Sequence, residues 1–186
     1  MPVTTLDPKT ALILIDLQYG IVGLKTAHPS GPVVEKSAAL ARAFRRKGLP
    51  VVLVNVDGRA PGRTDQSASA AAAPPRPANA TELVAELDRQ PSDILVTKDC
   101  WGAFIKTDLA ARLRALGVTQ VVIAGISTSV GVESTARQAY ELGFNVTLAV
   151  DAMTDLNAEA HAGSIARVFP RLGETGTTEA ILALLG

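Results

Sequence analysis

Five short apolar runs recur along the chain: Ala11–Ile15, Val51–Val56, Ile94–Val96, Val121–Ala124 and Val146–Val150. They are near-continuous rather than alternating, and rich in Val, Ile and Leu. A strand covered on both faces reads this way, whereas a strand with one wet face alternates apolar and polar residues. Each run is too short for a helix of ordinary length. Amphipathic stretches separate them. From Val33 to Lys47, Val34, Ala38, Ala41 and Phe44 recur at spacings of three or four, and Gly48 follows as a stop signal. Asp108 to Leu116 carries a leucine stripe and ends at Gly117; Val130 to Leu142 ends at Gly143. Ala158 to Phe169 and Thr178 to Leu185 read as two further helices. Strands alternating with helices imply right-handed crossovers and a three-layer α/β/α domain around a parallel sheet. The chain has 186 residues, which suits one domain spanning 1–186, and its 47% hydrophobic content is enough for a sizeable core.

One stretch breaks the rhythm. Asp57 to Ala80 holds Arg59, Arg63, four consecutive alanines and then Pro74, Pro75 and Pro77. Proline ends any helix the alanines start. A connection this long is either a cover over a site or a plain surface loop.

The residue inventory removes several classes of function. Basic and acidic side chains balance at 18 each, so no global field attracts nucleic acid or an anionic membrane. No apolar run is long enough to span a bilayer, and no basic, apolar leader is visible. Cys100 is the lone cysteine, which excludes an internal disulfide and fits a reducing, cytoplasmic compartment. His28 and His161 are the only histidines, too few for a multi-histidine metal site.

In parallel sheets ligands bind beyond the carboxyl ends of the strands. The first polar residues after the five runs are Asp16, then Asn55 and Asp57, then Lys98, then Gly125 with Ser127 and Thr128, and finally Asp151. An acid, a lysine and a glycine-hydroxyl turn would meet on one edge. That set suits acid/base chemistry, with Lys98 tuning Asp16 or holding negative charge. Plainer readings stand beside it: Asp16 as a helix cap, Lys98 as a solvated strand end, the turn as a tight connection. Neither a phosphate-binding glycine fingerprint nor a G-x-S-x-G elbow occurs. The start of the Val130 helix offers free N–H groups to an anion.

Three segments then carry a resemblance. They are Leu12-Ile13-Leu14-Ile15-Asp16-Leu17-Gln18, Lys98-Asp99-Cys100-Trp101-Gly102-Ala103-Phe104 with Thr107-Asp108-Leu109, and the run from Ala124-Gly125-Ile126-Ser127-Thr128 through Gly131-Val132-Glu133-Ser134-Thr135 to Arg137. Asp151-Ala152-Met153 follows after the next strand. In order and spacing the chain resembles the isochorismatase-like (cysteine) hydrolases over nearly its whole length. The resemblance implies a six-stranded parallel sheet, a homo-oligomer, a small-molecule substrate and a cis peptide between Ile126 and Ser127. It implies Asp16 and Lys98 as two members of the family's Asp–Lys–Cys set. The third position holds Gly131, so the acyl-enzyme route of the amide-cleaving members lacks its thiol. The histidine of the family's metal-binding members is missing from Asn55-Val56-Asp57-Gly58-Arg59, so neither metal nor cofactor is expected.

Glycine at that position is shared by the family's isochorismatases, which release pyruvate from a vinyl ether, and also by small family members without an assigned substrate. The expectation is therefore a hydrolase of a small, anionic metabolite. Asp16 serves as acid, Lys98 as electrostatic partner, and Gly131 gives room for substrate or water. Gln18, Arg59, Trp101, Phe104, Ile126, Ser127 and Thr128 are the expected substrate-binding residues, with Arg59 and Arg63 as carboxylate clamps. Two alternatives remain: a binding protein of the same fold without catalysis, and an amide hydrolase using Cys100 or activated water. His28 would border the site, and His161 would be a surface or interface residue.

Overall fold

A computed structural model describes residues 2–58, 62–65 and 76–186. All five apolar runs are strands: β1 (Thr10–Ile15), β2 (Val51–Val56), β3 (Ile94–Lys98), β4 (Gln120–Ile126) and β5 (Asn145–Thr154). A short β6 (Glu174–Gly176) completes a six-stranded sheet of order β3-β2-β1-β4-β5-β6, with every pair parallel. The helices are α1 (Tyr19–Val22), α2 (Ser30–Arg46), α3 (Leu109–Ala115), α4 (Glu133–Glu141), α5 (Ala158–Gly163) and α6 (Thr178–Leu185). Most of the expected 57–80 loop lies outside the described residues.

The sheet divides the core by side-chain alternation. On β1, Ile13 and Ile15 face one layer with Leu109 and Leu113 of α3 and Ala136 and Ala139 of α4. Leu12 and Leu14 face the other, with Leu40 and Phe44 of α2 and Ile181 of α6. The three-layer α/β/α sandwich follows from β1 being dry on both sides. Fully burying a side chain such as Phe44 contributes about 1.5–3 kcal/mol. Gly48, Gly117 and Gly143, expected to end helices, adopt φ of 66°, 72° and 85°, the left-handed conformation that stops a helix.

Three expectations change. The Val130 helix begins instead as a wide π turn, Thr128–Val132, before α4. Its N–H groups are partly committed: Ser129 N donates to Asp155 Oδ2 at 2.7 Å and Val130 N to Ser127 O at 3.2 Å. The fifth strand runs past Asp151 to Thr154. Its register against β4 jumps from Ile123–Leu148 to Gly125–Met153, so Asp151 sits inside an irregular strand and not at its end. There Asp151 accepts from Thr178 N at 2.6 Å and pairs with Lys36 at 2.9 Å; it anchors α6 to α2. Among the described residues no helix is long and apolar enough to cross a membrane.

Candidate active site

The strand order reverses between β1 and β4, so the carboxyl ends of these two strands form the switch point of the sheet. Asp16 follows β1 there and Ser127 follows β4. A cleft of about 260 Å³ opens at this point, walled by Asp16, Lys98, Asp99, Cys100, Trp101, Ser127 and Gly131, with Ile21, Val56, Gly58, Ile126, Val130 and Leu156. Two larger hollows, of about 640 and 460 Å³, lie at the opposite end of the sheet, around Pro50, Ile94 and Leu116 and around Gln120 and Asn145. In the first of these Arg45 is already bonded to Asp93 at 2.7 Å. The smaller cleft holds the unusual chemistry.

Asp16 leaves β1 with φ 53°, while its N–H still donates to Val54 O at 2.9 Å. Its residue is 6% exposed and Lys98 is 3% exposed. Lys98 Nζ lies 2.7 Å from Asp16 Oδ2 and also donates to Cys100 O at 3.2 Å. Burial lifts the Asp16 carboxyl from 3.8 to about 6, against the charge and hydrogen bond of Lys98, which pull it down. Asp16 Oδ1 is buried and has no hydrogen-bond partner within the described protein.

Gly131 faces this pair. A Cβ built on it would stand 2.9 Å from Ile15 Cγ2 and 3.2 Å from Asp16 Oδ2. Overpacking of this kind costs about 1–3 kcal/mol, and for a chain of this size each kcal/mol moves Tm by about 2–4 °C. Gly131→Ala is therefore expected to melt several degrees below wild type in a calorimetric scan. An unchanged Tm would show that Ile15 and Asp16 yield without cost.

The structure gathers Asp16, Lys98, Gly131, Trp101, Ile126 and Ser127 around the cleft and sends other expected residues elsewhere. Gln18 is a clamp: its Nε2 donates to Val56 O at 3.1 Å and Ala80 O at 2.9 Å, and its Oε1 accepts from Val56 N at 2.7 Å. Its amide is spent on joining the ends of β1 and β2 to the segment before the Ala85 turn. Phe104 is 7% exposed and stacks on Phe144 at 5.9 Å between centroids, within the core under α3 and α4. Thr128 is fully buried, and its Oγ1 donates to Thr154 O at 3.0 Å. Arg59 lies outside the described residues, and Arg63 is exposed and does not line the cleft. The peptide bond between Ile126 and Ser127 is cis.

Two residues enter that sequence reasoning missed. Asp155, 3% exposed, accepts from Ser129 N and Oγ with Oδ2 and from Asn157 N with Oδ1. It thereby fixes the turn after β4. The available signal was the apolar pair Ala152-Met153, which carries the strand beyond Asp151. His161, expected as a surface or interface residue, is half-buried. Its Nδ1 lies 2.8 Å from Thr128 Oγ1, and its ring is 4.8 Å from that of His28. Among the described residues no group of three or more His, Cys, Asp or Glu side chains is placed to hold a metal ion.

Known proteins are similar to this chain in sequence and fold. A model of the isochorismatase domain matches residues 10–180. Over 180 residues, 95% of this chain and 96% of the relative, the sequence is 42% identical to YecD, an uncharacterized isochorismatase family protein of Escherichia coli O157:H7. It is 30% identical over 210 residues, 97% of this chain and 81% of the relative, to the ureidoacrylate amidohydrolase RutB of Methylobacterium radiotolerans. The solved structure of an isochorismatase family protein from Burkholderia thailandensis superposes with a TM-score of 0.88 at 40% identity, covering 97% of both chains. Switch-point cleft, sheet order and whole-length similarity agree: the chain belongs to the isochorismatase family of hydrolases.

Proposed function

We propose that the chain hydrolyses a vinyl ether in a small, anionic metabolite, with Asp16 as general acid and no cysteine nucleophile. The observation that supports this most is the state of Asp16 Oδ1, buried at the cleft wall without a protein partner. Oδ2 accepts from the Lys98 ammonium, so a proton taken up by this carboxyl resides on Oδ1. With a pKa of about 6, about a tenth of the carboxyls hold that proton at pH 7, a usable supply for general acid catalysis.

The steps follow from that placement. Oδ1–H protonates the terminal vinyl carbon, and the π electrons form the new C–H bond. The positive charge spreads over the adjacent carbon and the ether oxygen. Water adds to that carbon and loses its proton to the Asp16 carboxylate. The hemiketal then breaks its C–O bond as its hydroxyl proton passes to the leaving oxygen, giving an alcohol and a ketone; from a carboxyvinyl ether the ketone is pyruvate. Lys98 moderates the charge swing on Asp16, Gly131 leaves the Asp16 face open, and Trp101, Ile126 and Ser127 wall the substrate. Arg59 serves as the carboxylate clamp. Cys100 Sγ faces the carbonyl oxygens of Gly102 and Ile105, at 3.4 and 3.7 Å, and takes no part as a nucleophile in this reading. A reducing compartment suits the unpaired thiol, and a homo-oligomer would cover the exposed Trp101, Ile105 and Leu156.

The route of proton delivery gives the test. Isochorismate hydrolysed in D₂O, with pyruvate trapped at once as lactate, is expected to give product with one deuterium in the methyl group. Undeuterated lactate would mean that the methyl hydrogen came from a C–H bond of the substrate and not from an exchangeable acid, which would remove Asp16 as its source, and absence of pyruvate would remove isochorismate as a substrate.

A further inference from the structure

Among the described residues, three buried side-chain oxygen or nitrogen atoms lack a protein hydrogen-bond partner: Asp16 Oδ1, Ser37 Oγ and Asp99 Oδ1. Two of the three belong to carboxylates lining the same cleft. A buried acceptor left unmatched is costly, and more so when charged. Asp16 has a chemical task. Asp99 has none in the reaction described.

Asp99 stands immediately after β3, beside Lys98. Asp57 N donates to Lys98 O at 2.9 Å, which holds the end of β2 against this corner. Gly58, at φ 125°, faces it so closely that a Cβ there would lie 3.3 Å from Asp99 Cβ. On its outer side Asp99 Oδ2 meets Lys106 Nζ at 3.1 Å, in a pair that is about half exposed. Lys106 engages only Oδ2, and Oδ1 is buried without a protein partner. The cleft wall mixes apolar Val56, Ile21 and Ile126 with Lys98 and Ser127, and no protein donor reaches Asp99 Oδ1.

We infer that Asp99 determines specificity. Its Oδ1 accepts a hydrogen bond from a hydroxyl or N–H group of the substrate, so the cleft selects small molecules that carry a donor beside the group Asp16 protonates. The inference rests on reading this cleft as the substrate site, and not on the bond that is cleaved. A site built around an acceptor rejects analogues lacking the donor far more strongly than an apolar wall rejects a missing methylene. Because Asp99 is half exposed, a discrimination of at least tenfold is expected rather than the larger factors seen in closed sites.

Trp101 is the single tryptophan and lines the cleft, so its indole N–H resonance reports occupancy directly. Matched probes differing by methylation of the donor are titrated by NMR: benzamide against N,N-dimethylbenzamide, and 3-hydroxybenzoate against 3-methoxybenzoate. In wild type the donor-bearing member is expected to bind at least tenfold tighter. In Asp99→Ala the ratio is expected to fall within twofold of unity, and in Lys106→Gln, which keeps the Asp99 carboxylate and removes only the half-exposed partner of Oδ2, to persist. Equal binding in wild type, no indole shift with any probe, or a ratio surviving Asp99→Ala would overturn the role of Asp99. A ratio lost equally in Lys106→Gln would trace the effect to charge, and also overturn it. Turnover is not part of this readout. A lost ratio leaves Asp16 chemistry standing, and silence in the pyruvate assay with an intact ratio does the reverse.

Discussion

Asp16→Asn is expected to lower kcat for vinyl-ether hydrolysis by about 10³-fold, in the range that a positioned general acid supplies, with KM changed far less. Asn keeps the size of the side chain and a hydrogen-bond acceptor for Lys98, but it has no proton to give. The pH profile of wild type tests the same point without a substitution. The acid form is the working form, so kcat is expected to be level below pH 6 and to fall tenfold per pH unit above it, because the carboxyl titrates at about 6. A flat profile from pH 5 to 8 would remove Asp16 as the acid. A stability measurement gives a second readout that needs no substrate. The folded pKa is raised above the ordinary 3.8, so between those values the folded chain binds more protons than the unfolded one. The resulting stabilisation is full below pH 4 and is lost as pH rises through 6, a change of at most about 3 kcal/mol. Relative to Asp16→Asn, wild type should therefore lose stability in denaturant melts from pH 4 to 7.

The parts of this site that sequence reveals are those that depend on strand ends. Apolar runs of Val, Ile and Leu mark strands because a strand buried on both faces tolerates little else, and the next polar residue falls at the sheet edge by necessity. Asp16 and Lys98 were legible for that reason. Gln18 and Phe104 were not, although they sit two and six residues from those two. Both lie in the same motifs, but only the packing tells which side chains turn back into the protein. Gln18 finds two carbonyls and an N–H to satisfy; Phe104 finds Phe144. Asp155 and the pairing of His161 with Thr128 depend on contacts across 26 and 33 positions of chain, which no local pattern encodes. The irregular register of β5 hid the true strand end in the same way. Asp151 looked terminal because it is the first charge after an apolar run, yet the sheet passes through it.

Gly125→Ala is expected to have the largest effect on stability of any single substitution considered. Gly125 pairs with Ile15 across the β1–β4 junction and has φ 120°, a backbone conformation that side chains other than glycine rarely adopt. A Cβ there would collide with the Ile15 carbonyl oxygen and lie 2.6 Å from Ile15 N. Those atoms are backbone of a fully buried central strand, so no rotamer change relieves them. This separates Gly125 from Gly131, whose Cβ would meet side-chain atoms. Relief would require β1 and β4 to part, which breaks the ladder that sets both Asp16 and Ser127 at the switch point. Strain at a special φ combined with a core clash belongs to the mechanisms that exceed about 4 kcal/mol, a large share of the 5–15 kcal/mol that holds a typical domain folded. Soluble yield should collapse, and any folded fraction should melt more than about 10 °C below wild type. Because the displaced strand carries Asp16, that fraction should also bind the amide and benzoate probes more weakly at the Trp101 indole. A variant with wild-type melting and probe binding would mean that β1 and β4 can separate without cost, and that the close approach of these two strands does not position the acid.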